Sequence, residues 1–101
     1  MKTVKEYLEE TFSDNELENR PRIQCNDGFS VSVQGGTKYH YCSPRSHCNV
    51  YNEVELGYPS EPDNLIAKYA EDNTDLTDTV YGYVPIAIVE ELIQKHDGIR
   101  S

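Results

Sequence analysis

Apolar and polar residues alternate through the middle of this chain and recur at helical spacing near both ends, and this contrast sets the expected fold. Thr3 stands three residues before Glu6, the spacing of a capping box, in which each side chain satisfies an orphan backbone donor of a first helical turn. Val4, Tyr7 and Leu8, with Phe12 beyond them, then share one helical face. Residues 13–21 are polar and close on Pro21, as a connection would.

Arg22 to Cys25 alternates, Asn26-Asp27-Gly28 interrupts, and Phe29 to Gln34 alternates again, which marks two half-buried strands. Register decides the turn between them. A two-residue turn at Asp27-Gly28 sets Ile23 opposite Ser32 and mixes polar with apolar on each face. A three-residue turn, Asn26 to Gly28, sets Cys25 opposite Phe29 and Ile23 opposite Val31, so one face stays apolar. Gly28 then takes the left-handed position, where it has no Cβ to clash. Gly35-Gly36 marks a second turn. A loop of Gly35 to Thr37 would pair Val33 with Tyr39 and Val31 with Tyr41 in a third strand, Lys38 to Cys42. The polar face would then carry Arg22, Gln24, Ser30, Ser32, Gln34, Lys38, His40 and Cys42.

Ser43-Pro44-Arg45 stops that strand, because proline cannot donate to a ladder. A fourth strand is expected from Tyr51 to Gly57, with Val54 and Leu56 inward. Ser60 would cap a helix with Pro62 in its first turn and Leu65, Ile66, Tyr69 and Ala70 as its apolar stripe. Residues 71–78 read as an acidic loop and Thr79 to Val84 as a fifth strand. Pro85 opens a last helix with Ile86, Val89, Leu92, Ile93 and His96 inward, and Gly98 stops it. Together these elements predict an α+β single domain. It is a mostly antiparallel sheet of about five strands with two or three helices packed on one face. With 101 residues the chain is one domain, 1–101, its core in 22–99 and its first 21 residues a peripheral helix and linker.

Charge changes this picture more than composition does. The net charge is −9. Residues 1–19 carry six acids against two bases, and residues 49–91 ten acids against the single base Lys68. Residues 20–48 are locally positive, with Arg20, Arg22, Lys38 and Arg45 against Asp27. Direct nucleic-acid binding, which needs cations to displace counterions, is not expected. An acidic surface suits instead the nucleic-acid groove of another protein. The candidate partner-binding acids are Glu53, Glu55, Glu71, Asp72, Asp75 and Asp78. No run reaches the ~20 apolar residues of a membrane span, and the N-terminus lacks the apolar stretch of a signal peptide. With three cysteines, an odd number, this points to a reducing cytoplasm.

Candidate chemistry is sparse. His40, Cys42, His47 and Cys48 fall within nine residues but lack the spacing of a zinc site, and Cys25 points to the other sheet face. His40 and Cys42, two apart on one strand, sit about 7 Å apart by strand geometry, loose for a nucleophile and its base. No metal, no cofactor and no catalytic residue is expected. The polar sheet face is the better candidate. Arg22, Ser32 and His40 would form one cross-strand row with Arg45 just beyond, suited to an anionic small ligand. Tyr81 and Tyr83, on one side of their strand, could stack on a nucleobase. The same face could instead dock a protein, and an exposed sheet edge could pair two copies as a homodimer.

Four stretches also carry a resemblance: Asp27-Gly28-Phe29-Ser30-Val31-Ser32-Val33-Gln34, Tyr41-Cys42-Ser43-Pro44-Arg45, Val80-Tyr81-Gly82-Tyr83-Val84-Pro85 and Lys95-His96-Asp97-Gly98-Ile99. Across residues 22–99 the chain resembles an uncharacterised family of small accessory proteins of tailed bacteriophages and prophages. It departs from that pattern at Val31, where methionine is common, and at Asp97, where a second glycine is common. The resemblance implies expression in the cytoplasm of a bacterial host. It brings no activity or site residue with it. In that setting the favoured expectation is a non-enzymatic protein that inhibits a host protein by stoichiometric binding, such as an anti-phage defence effector, in the manner of an anti-CRISPR. The alternatives are a protein that sequesters a nucleotide-type signal and a minor virion or assembly factor.

Overall fold

The computed structural model describes residues 2–37 and 40–100. Helix α1, Val4–Glu10, starts as its sequence predicts. Glu6 N–H donates to Thr3 Oγ1 at 3.1 Å and Thr3 N–H to Glu6 Oε1 at 3.0 Å. Glu90 accepts from the next free donor, Val4 N–H, at 2.9 Å. Thr3→Ala should cost about 1 kcal/mol, because it strips one acceptor from a helix of only two turns. Urea denaturation of the variant checks this, and no measurable loss would mean that Glu90 holds the helix start alone.

Strands β1 (Ile23–Gln24), β2 (Ser30–Gln34), β3 (Glu53–Gly57) and β4 (Val80–Pro85) form one antiparallel sheet in the order β1-β2-β3-β4. The first hairpin has the predicted register. Ile23 faces Val31, Cys25 N–H donates to Phe29 O at 2.8 Å, and Gly28 has φ +97°. Helix α2, Ile86–Lys95, follows Pro85 and buries Val89, Leu92 and Ile93. It ends in a Schellman motif, with Gly98 N–H to Ile93 O at 2.9 Å and Asp97 N–H to Gln94 O at 3.1 Å. Asp97 holds the left-handed φ of +70°, which short polar side chains tolerate. The core joins Val4, Tyr7 and Leu8 of α1 and Val89, Leu92 and Ile93 of α2 to the sheet's Ile23, Val31, Val33, Val54, Leu56, Tyr81 and Val84.

Three expectations are corrected. The strand predicted over Lys38 to Cys42 does not form beside β2. Lys38 and Tyr39 lie outside the described residues, and β3 takes the place, with Val33 facing Leu56 and Gln34 facing Glu55. Val54 and Leu56 complete the apolar face that Tyr39 and Tyr41 were expected to supply. Gly36 and Cys42 meet instead, with Gly36 N–H donating to Cys42 Sγ at 3.3 Å and the thiol donating to Gly36 O at 3.2 Å. Cys42 is therefore buried and Tyr41 exposed, the reverse of the strand pattern.

The helix expected after Ser60 shrinks to turns and one 3₁₀ turn, Ala67–Tyr69. Ser60 is not a cap: its hydroxyl accepts from Ser30 N–H at 2.9 Å and extends the β2 pairing. Ala70 is already extended and bridges to Tyr81. Finally, Tyr81 and Tyr83 point to different sides. Val54 faces Val84 but Leu56 faces Tyr81, so β4 fits one extra residue opposite β3. Tyr81 and Val84 both enter the core, while Tyr83, at φ +53°, turns out.

Both outer edges of the sheet are occupied by short returns of the chain. Arg100 N–H donates to Gln24 O at 2.7 Å beside a Cys25–Ile99 bridge, and Glu71 N–H donates to Val80 O at 2.9 Å beside the Ala70–Tyr81 bridge.

Candidate functional site

Of the residues expected to form an anion site, Arg22, Ser32, His40 and Tyr81 are held by partners within the protein. The Arg22 guanidinium donates to Ser30 Oγ at 3.0 Å and to Tyr58 O at 2.6 Å. Ser32 Oγ accepts from Gln34 Nε2 at 3.0 Å. His40 Nδ1 lies 2.9 Å from Glu55 Oε1, on the strand that has taken the place of the expected third one. Arg45 is exposed on the following loop. The Tyr81 ring is buried and its hydroxyl donates to Leu76 O. Of the six residues, Arg22, Arg45 and Tyr83 remain exposed.

The acids divide in the same way. Glu55 is buried and accepts from Tyr41 N–H at 3.2 Å besides facing His40, and Glu53 is half-buried. Glu71, Asp72, Asp75 and Asp78 are exposed on one loop. Two side-chain turns shape that loop. Asp72 Oδ1 accepts from Thr74 N–H at 2.9 Å and Thr74 Oγ1 at 2.6 Å, and Asp75 Oδ1 from Thr77 N–H at 3.1 Å and Thr77 Oγ1 at 2.9 Å. The Thr74 hydroxyl and amide hold the Asp72 carboxyl below its ordinary range, so it stays ionised in mild acid.

Next to this loop lies a groove of about 340 Å³, lined by Tyr41, Tyr69, Glu71, Gly82 and Tyr83. The bulge builds it. Tyr83 N–H donates to Tyr41 O at 3.0 Å, and the two rings stand 5.9 Å apart at 46°. A Cβ on Gly82 would come within 3.2 Å of Tyr41 Cβ, so glycine lets Tyr41 lie close on the strand. Of the lining residues, Tyr41, Tyr69 and Gly82 were not expected at a site. Gly82 alone gives a signal in the sequence, since glycine inside a strand pattern marks a bulge. A second hollow of about 60 Å³, between Leu8, Tyr51 and Ile86, is too small for an organic ligand.

The third constellation joins distant parts of the chain. His96 Nδ1 lies 2.7 Å from Asp27 Oδ2 and its Nε2 3.0 Å from Asp63 Oδ2, while Lys95 Nζ donates to Asp63 Oδ1 at 3.1 Å. The imidazole stacks on Phe29 with ring centres 3.9 Å apart. Neutral imidazole has one N–H and can serve only one carboxylate, so this geometry calls for imidazolium. Burial alone would lower the His96 pKa, but Asp27 and Asp63 outweigh it and raise it above the ordinary 6.5. With both nitrogens engaged, His96 is no free general base.

Cysteine chemistry is muted. Burial first, then the Asp27 carboxylate, push the Cys25 thiol up to about 11. Burial likewise raises the Cys42 thiol, against the opposing pull of the Gly36 amide. Neither is a thiolate near neutrality. Among the described residues no three His, Cys, Asp or Glu side chains gather as a metal site would require, and no helix is long and apolar enough to cross a membrane.

No family of known proteins, curated protein or solved structure matches this chain.

Proposed function

We propose that this chain is a non-enzymatic acidic binding protein of bacteriophage type, acting in a bacterial cytoplasm by docking stoichiometrically on a host protein with a cationic groove. A nucleic-acid-binding effector of anti-phage defence is the partner class that fits. The observation that carries this reading is the loop at 71–78, where four exposed carboxylates sit on a backbone fixed by two side-chain turns. A shaped loop loses less conformational freedom on docking, and its clustered charge speeds encounter with a basic surface. The uses that Arg22 and His40 find inside the protein weigh against the small-ligand alternative.

The test neutralises the loop without unshaping it. Glu71→Gln, Asp72→Asn, Asp75→Asn and Asp78→Asn together remove the charge, and asparagine keeps the turn-forming oxygen. Affinity capture from host lysate at low and high salt should identify a partner, and the combined variant should bind it at least about tenfold more weakly. A partner held equally by the variant, with affinity indifferent to salt, would sink the proposal.

A further inference from the structure

From the groove beside the acidic loop we infer an arginine-binding slot: Tyr41 and Tyr83 offer ring faces, and Glu71 a carboxylate, to a guanidinium carried by a basic partner protein. The inference rests on the docking reading above and names the side chain that docking would bury. Tyrosine faces are electron-rich and attract a desolvated cation, most often arginine, whose flat guanidinium stacks on a ring and still donates to a carboxylate.

Several observations favour a cation over an anion or a nucleobase. No lining residue is basic. Glu71 is in the wall, and Asp72, Asp75 and Asp78 follow it on the loop, so a nucleotide phosphate would meet repulsion. Tyr69 shows the same attraction, with Lys68 Nζ 5.3 Å from its ring centre, a cation that an incoming guanidinium would have to displace, so the open faces are those of Tyr41 and Tyr83. Tyr41 and Tyr83 are 43% and 42% exposed, large aromatic surface left open to solvent. Their placement is built in: a left-handed tyrosine at the bulge, a glycine that admits Tyr41, and a backbone hydrogen bond joining Tyr41 to Tyr83. Such an outlier in backbone angle is the kind that function maintains.

The probe is the peptide acetyl-Gly-Gly-Arg-Gly-Gly-amide, titrated into the intact protein at 0.15 M salt and followed by amide NMR. Saturable shifts are expected at Glu71, Gly82 and Tyr83, with a dissociation constant on the order of millimolar for one side chain. Tyr83→Phe should keep the affinity, whereas Tyr83→Leu and Tyr41→Leu should each weaken it at least about fivefold. Glu71→Gln should weaken it with no change elsewhere in the spectrum. Leucine variants that bind like the parent overturn the slot. So do shifts confined to residues 72–78, and so do shifts given by adenosine monophosphate but not by the peptide. If the peptide fails while salt-sensitive partner capture persists, the slot is wrong and the docking reading stands. Peptide binding in the groove with no partner captured leaves the slot and removes the docking reading.

Discussion

His96→Ala should lower stability by about 3–5 kcal/mol, the usual cost of removing one member of a buried charged cluster. His96 is 5% exposed and sits between Asp27 of the β1–β2 turn and Asp63 of the segment before Ala67–Tyr69. Its loss leaves Asp63, also buried, with only Lys95 and the Leu65 amide on one oxygen and nothing among the described residues on the other, and removes the ring stacked on Phe29. At about 4–8 °C per kcal/mol for a domain of this size, the melting temperature should fall by more than 10 °C.

The same cluster sets a pH dependence. The His96 pKa is raised in the folded state, so its contribution is full below pH 6.5 and fades as pH climbs through the raised value. Asp27 and Asp63 shift the other way. The Phe29 amide and His96 lower the first. For the second, burial is outweighed by the Leu65 amide, His96 and Lys95. Their contribution is present above 3.8 and fades as pH falls through the lowered values. Urea denaturation of the wild type should therefore show a plateau between the two limits and a decline on the alkaline side. His96→Ala should flatten that decline. A loss under about 1 kcal/mol, or an unchanged alkaline slope, would show that the three side chains do not act as an ionic unit.

Gly35→Ala should cost about 2–3 kcal/mol, at the upper end for forcing one methyl into a packed interior. The new Cβ would lie 2.5 Å from Tyr51 Cζ and 2.8 Å from both Cε atoms. Tyr51 cannot easily yield. It is buried, its hydroxyl donates to Ser46 O at 2.7 Å and accepts from Cys48 N–H at 3.4 Å, and Arg20 lies 5.9 Å from its ring centre. Gly36→Ala is the control, since its Cβ would meet only His40 Cδ2 at an ordinary 3.5 Å. Thermal unfolding should separate the two neighbours clearly. Tyr51→Leu, which removes the clashing ring atoms, should make Gly35→Ala nearly neutral in a double-mutant cycle. Equal melting temperatures for the two glycine variants would mean that the ring moves freely.

These two positions show where local pattern carries information and where it stops. Alternation plus one glycine was enough for the first hairpin, because an error of one residue there would expose every apolar side chain of β1. Thr3-Glu6 and Pro85 marked helix starts for equally local reasons. Lys38 to Cys42 alternates just as a strand does, but local pattern cannot rank it against Val54 and Leu56, twelve or more residues further on, as the neighbour of β2. Gly35 read as a turn residue, whereas its constraint is an aromatic ring from residue 51. The stripe at 65–70 misled because the Asp63 carboxylate and the Ala70 backbone are taken by α2 and β4. At the candidate site the acidic loop was legible from composition. The tyrosine groove was not, since Tyr41 and Tyr83 meet only through the bulge, and the His96 cluster joins residues 69 and 33 positions apart.

The segments flanking the sheet bear on how this protein behaves when crowded. A naked strand can template growth of cross-β aggregates, each molecule extending the ladder of the last. Here an incoming chain would first have to peel away residues 99–100 on one margin or 70–71 on the other, so concentrated samples should resist fibril formation as long as those two clasps hold.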